Sequence, residues 1–158
     1  MKGNPKVLEL LNRVLRKELT GINQYIVHSR MCANWGYRVL AKHAREESIE
    51  EMKHADIVIE RILFLEGTPN MAEQDKILIG KDVREQLAND LALEEAALKV
   101  LRPGIAVCID SGDHATRDLL DRIIVEEEKH VDWIESQLHQ IKEMGYENYL
   151  TLQTGKDD

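Results

Sequence analysis

The sequence predicts an all-α protein, a four-helix bundle with one long crossover between its second and third helices. Three observations carry that expectation. Long stretches rich in Leu, Ala, Glu, Lys and Arg place apolar residues at steps of three and four, the period of a helix face, with few β-branched alternations. The breakers "NWG" at 34–36, "EGTPN" at 66–70, "SGD" at 111–113 and Gly145 cut the chain into long segments. The stretch 67–82 reaches about 50 Å when extended, enough to run the length of such a bundle.

The first helix is expected over about residues 5–34, with the buried stripe Leu11, Leu15, Glu18, Ile22 and Tyr25. The second runs over about 38–65 and buries Glu47, Glu51, His54, Val58 and Ile62. The third follows the crossover, stops before Ser111 and buries Leu87, Leu91, Glu94, Leu98 and Leu101. The fourth closes at Gly145 and buries Leu120, Ile123, Glu127, His130, Ile134 and Leu138; "YENYLTL" then forms a short fifth helix. Helices of roughly 28–30 residues are about 42–45 Å long, and the short connections within each pair force antiparallel hairpins. A chain of 158 residues is read as one domain over 1–158, large enough to bury about 70% of its unfolded surface.

Composition narrows the partners. Twenty-one basic residues against 29 acidic ones give a net charge of −8, which repels nucleic acid and anionic membranes and favours cations. Cys32 and Cys108 match neither a disulfide framework nor a CxxC metal pattern, so they are read as reduced thiols. The start "MKGNPKVLELL" lacks a signal-peptide apolar core, and no apolar run approaches the ~18 residues of a membrane span. The expected location is the cytoplasm.

Every core stripe is interrupted by a carboxylate, and the second and fourth add an imidazole. "EEMKHA" at 50–55 returns as "EEEKHV" at 126–131; Glu51 to Glu127 and Glu18 to Glu94 both span 76 positions (127 − 51 and 94 − 18), which reads as an internal duplication. An ionised carboxylate buried without a partner costs several kcal/mol, so four in one core need comparable compensation. Two divalent cations supply it, cancelling the four negative charges of Glu18, Glu51, Glu94 and Glu127 while His54 and His130 stay neutral. Oxygen donors with one imidazole per metal favour iron or manganese over zinc or an iron–sulfur cluster. Glu51 and Glu127 are expected to bridge; Glu18 with His54 terminates one metal, and Glu94 with His130 the other. Such a pair suits dioxygen or peroxide, each metal giving one electron. Tyr25 either bonds to this group or donates an electron, or is a core tyrosine with a satisfied hydroxyl.

Glu18, "EEMKHAD" at 50–56, "ERILFLEG" at 60–67, Glu94, "EEEKH" at 126–130 and "ENYL" at 147–150 together make the chain resemble bacterioferritin over essentially its whole length. The resemblance implies a ferritin-like four-helix bundle, Fe(II) oxidation at a di-iron ferroxidase centre, and storage of Fe(III) mineral in a homo-oligomeric shell of 24 subunits built from two-fold dimers. It also implies haem b held by Met52 of two subunits, with electrons for iron release supplied by a small ferredoxin. Met52 lies about 100° from Glu51 around the helix, with Ile49, Ile59 and Leu63 on a second apolar face that marks association. Without the resemblance, Met52 reads equally as packing in a dimer seam. Some bacterioferritins place a histidine where this chain has Glu46; Glu46 and Glu50 leave only weak inner-surface iron binding. Two rival readings are a small-molecule di-iron oxidase, for which the Leu and Ile around the ligands leave no marked cleft, and an electron-carrying haem protein.

Overall fold

The computed structural model describes residues 1–155; the last three positions of the domain expected over 1–158 lie outside the described residues. Among the described residues every regular element is helical: α1 (Pro5–Trp35), α2 (Arg38–Phe64), α3 (Val83–Asp110), α4 (His114–Met144) and α5 (Tyr146–Leu152). No described helix is long and apolar enough to cross a membrane.

Local chemistry sets the ends. Asn4 accepts the Lys6 N–H at 2.8 Å and Pro5 occupies the first turn of α1, where its missing N–H costs nothing. Gly36 ends that helix with φ 84°, and the Tyr37 N–H reaches back to the Cys32 carbonyl at 2.9 Å. Asp82 caps α3 by accepting from Glu85 N, and Asp113 caps α4 by accepting from Thr116 N. The start of α2 has no side-chain cap. The Val39 N–H instead donates to the Gln153 carbonyl at 3.0 Å, so the end of α5 completes α2. Pro103 lies inside α3, exposed, and does not end it.

α1 packs along α2, α3 along α4, and α1 against α3, the arrangement of two antiparallel hairpins. The crossover between α2 and α3 runs beside α1 and is held by its polar side chains. Thr20 Oγ1 accepts from Asp75 N at 2.9 Å, Gln24 Oε1 from Leu78 N at 3.1 Å, and His28 Nε2 from Gly80 N at 3.0 Å. Asn12 pairs with both Thr68 and Asn70 near the start. These side chains satisfy backbone groups that neither helix nor sheet serves.

Two apolar clusters fill the bundle. One packs the first half of α1 against the second half of α3, with Leu10, Leu11, Val14, Leu15, Leu101 and Ile123 among its buried members. The other, around Leu40, Val83, Leu87, Ile134 and Tyr149, lies towards α5.

Candidate metal centre

Six of the polar residues on the core stripes meet between these clusters. Glu18, Glu94 and Glu127 are 0 to 1% exposed, Glu51 2%, His54 5% and His130 6%. They form two overlapping groups whose donor atoms lie within 4.8 Å of one another: Glu18, Glu51, His54 and Glu127, and Glu51, Glu94, Glu127 and His130. Glu51 and Glu127 belong to both, the positions expected of bridges. Each helix contributes because its stripe turns inward at the same height.

His54 Nδ1 stands 3.0 Å from Glu127 Oε1 and 3.4 Å from Glu18 Oε2; His130 Nδ1 stands 3.3 Å from Glu51 Oε1 and 3.2 Å from Glu94 Oε1. His130 Nδ1 and Glu94 Oε1 share a hydrogen bond, but proximity does not satisfy the rest. Both oxygens of Glu18 and of Glu127, one each of Glu51 and Glu94, and His54 Nδ1 are buried without a hydrogen-bond partner. In a native interior such orphans need an explanation. Their donors converge on shared space, so the donor set fits two divalent cations, each within a group of three carboxylates and one imidazole, two of the carboxylates being shared.

Electrostatics agree. Burial, followed by repulsion from Glu127, raises the Glu94 carboxyl to about 8. Burial likewise raises Glu18, Glu51 and Glu127, each with a neighbouring carboxylate adding to the effect. Burial works against charge on His54 and His130, but the surrounding carboxylates prevail and raise both. Without cations the centre therefore keeps extra protons that cations would displace.

Tyr25 donates its hydroxyl to Glu94 Oε1 at 2.5 Å, and burial with the Glu94 charge holds its proton on firmly. Cys32 and Cys108 are unpaired and buried, their thiols pushed up to about 12 and about 11 by burial. Met52 lies off the centre, 53% exposed, with Ile49 and Leu63 also exposed. Ile59 differs from expectation: it is half-buried and packs on the larger cluster, because it lies beside the buried stripe of Ala55, Val58 and Ile62 at helical spacing. Glu46 is exposed and ion-paired to Lys42, and Glu50 to Lys53.

Several contributors escaped the sequence reading. Gly21 faces Glu51, and a Cβ there would stand 2.9 Å from Glu51 Oε2, so glycine leaves the bridging carboxylate its room. A mid-helix glycine, about 1 kcal/mol worse than Ala, was the available signal. Asp90 accepts from both Gln24 Nε2 and His28 Nδ1 at 2.9 Å. Since His28 Nε2 accepts from Gly80, its ring proton sits on Nδ1. Glu47, on the expected stripe but given no role, approaches His130 Nε2 at 2.7 Å and His43 Nε2 at 3.4 Å. His43 stacks on Trp133 with ring centroids 3.4 Å apart. His28, Asp90, Glu47, His43 and Trp133 line a cavity of about 30 Å³ beside the centre.

The fold and the carboxylate-rich core define a ferritin-like protein, and residues 8–144 match the family model described as Ferritin-like domain. Comparison with known proteins narrows the class. The bacterioferritin of Mycobacterium tuberculosis H37Rv is 46% identical over 149 residues, covering 94% of each chain. That of Rhodobacter capsulatus is 46% identical over 158 residues, covering all of this chain and 98% of its own. The bacterioferritin of Mycolicibacterium paratuberculosis is 45% identical over 149 residues, 94% of each. The chain belongs to the bacterioferritin family.

Proposed function

We propose that this protein, one ferritin-like domain over residues 1–158, stores iron in the cytoplasm. It oxidises Fe(II) with dioxygen or hydrogen peroxide at a di-iron ferroxidase centre in each chain and keeps the ferric mineral inside a shell of 24 copies. The observation that carries the reading is the set of buried, unpartnered carboxylate oxygens converging in two groups that share Glu51 and Glu127. Family membership supports iron storage in general.

Glu18 and His54 would hold one iron, Glu94 and His130 the other, with Glu51 and Glu127 between. Two irons held there supply one electron each to the oxidant. The chain's own residues prepare the place. The carboxylates surrender their protons as cations arrive, Tyr25 fixes Glu94 through its hydroxyl, and the apolar cluster around Leu15, Leu101 and Ile123 keeps bulk water from one side. A small-molecule oxidase is disfavoured. The cavity beside the centre is about 30 Å³, room for about two waters, whereas organic ligands occupy about 300 Å³ or more.

Iron loading tests the storage reading. The purified protein, fed Fe(II) aerobically, is expected to retain far more iron than its ligand groups can hold; uptake that stops at ligand-site stoichiometry overturns it.

Haem b and assembly belong to the same proposal. Met52, Ile49 and Leu63 form an exposed apolar face, and a two-fold contact there would bury it and oppose two thioethers. A small ferredoxin then donates electrons through that haem for release. Light scattering should find a particle many times the 18.2 kDa chain mass. Met52→Leu keeps the size of the face while deleting the sulfur, so it should assemble and oxidise iron normally but lose haem absorption. Full haem binding by that variant removes Met52 as ligand.

A further inference from the structure

The internal duplication gives every residue near the centre an equivalent 76 positions away, and at Glu47 the equivalent is Ile123. The two cation positions therefore differ in what stands behind their imidazoles. Behind His130 is the Glu47 carboxylate, 2.7 Å from Nε2. The corresponding place on the His54 side is filled by Ile123, 1% exposed and part of the larger apolar cluster.

We propose that Glu47 is a positioning residue that orients His130 and makes the Glu94–His130 position the tighter of the two for a divalent cation. This rests on the dinuclear reading above. When His130 Nδ1 faces the cation, Nε2 must carry the ring proton, and a carboxylate beside it fixes that tautomer and raises the donor strength of Nδ1. Glu47 is 8% exposed, and its Oε2, near Nε2 but off the line of a straight hydrogen bond, has no other partner. Its other oxygen, Oε1, stands 3.4 Å from His43 Nε2.

A second asymmetry acts the other way. Tyr25 donates to Glu94, drawing some electron density from that ligand, while its equivalent Leu101 leaves Glu18 alone. Loss of an outer partner to a metal-bound histidine typically changes affinity by about 10–100-fold. A neutral hydroxyl on one of four carboxylates is a smaller effect than an acceptor placed behind a ligating imidazole at one end only. The balance favours the Glu94–His130 position.

The test is anaerobic titration of the metal-free assembled protein with Co(II), followed by its visible absorption and by calorimetry. Wild type should bind two Co(II) per chain in two steps separated by about 10–100-fold. Glu47→Gln, isosteric and uncharged, should weaken the tighter step by about 10-fold or more and leave the other in place, merging the two. Tyr25→Phe should keep them separate, showing that the order does not arise from the tyrosine. Two equal steps in wild type, or an unchanged tighter step in Glu47→Gln, overturn the inference while leaving the dinuclear centre intact. Fewer than two Co(II) per chain in wild type overturns both.

Discussion

The two ends of the bundle, on either side of the metal centre, come from duplicated sequence and have been filled in opposite ways. Towards the start of α1 the space holds Leu10, Val14, Val100, Leu101, Leu119 and Ile123. The equivalent positions at the other end, 76 residues away, are Gln86, Asp90, Gln24, Tyr25, His43 and Glu47. One end is a single large apolar cluster; the other carries a hydrogen-bonded network and a small cavity beside a second, smaller apolar cluster. The lesson is that a symmetric ligand set need not make a symmetric centre. Apolar burial, worth about 25 cal/mol per Å², is more extensive at the first end than at the second. The polar end instead holds side chains in fixed orientations through hydrogen bonds among Gln24, His28 and Asp90.

The largest effects should come from the ligands, where the two halves are alike. His54→Ala and His130→Ala should each abolish the fast phase of Fe(II) oxidation in stopped flow, with helical circular dichroism unchanged. Unequal loss, with one variant retaining the fast phase, would show that the halves differ even in their ligands.

Next in size is the contrast in packing. Leu15→Ala should cost about 2–5 kcal/mol in denaturant unfolding, because it opens a cavity in the dry cluster. Asp90→Asn keeps an acceptor for Gln24 and His28 and should cost about 0.5–1.5 kcal/mol. Equal costs would contradict the division of roles.

The centre itself should respond to pH. The Glu94 carboxyl is raised from an ordinary 4.5 to about 8, and Glu18, Glu51 and Glu127 are raised as well. A group whose pKa is raised on folding stabilises the fold most below its unfolded value and loses that contribution as pH rises through its folded value. Metal-free protein should therefore melt at lower temperature at pH 8 than at pH 5, by about 2–4 °C for each kcal/mol lost. Protein loaded with Co(II) should lack this decline and should release protons on loading, measurable by pH-stat. A metal-free melting temperature that rises over that range would refute the protonated cluster.

The smallest effect expected is that of Tyr25→Phe. Removing the hydroxyl from Glu94 deletes one hydrogen bond, worth about 0.5–1.5 kcal/mol, so the fast oxidation phase should persist, slowed about tenfold or less. Complete loss would give Tyr25 a direct part in the chemistry.

The helices, the long crossover and the six convergent carboxylates and imidazoles were legible in the sequence because each is a matter of period. Steps of three and four place Glu18, Glu51, His54, Glu94, Glu127 and His130 on inward faces, and burial leaves four carboxylates no solution but a common one. Other features depended on which side chains meet across elements far apart in the chain. Gln24, His28 and Asp90 looked like ordinary polar positions until α1, the crossover and α3 came together; only then did the Gly80 and Leu78 amides become groups that needed acceptors. Glu47 lay on the inward stripe, yet its task was decided by His130 on another helix. The repeat determined that two halves would share one centre. The tertiary structure decided that polar residues from both halves would gather at one end, because a pairwise contact, unlike a period, has no signature within either segment alone.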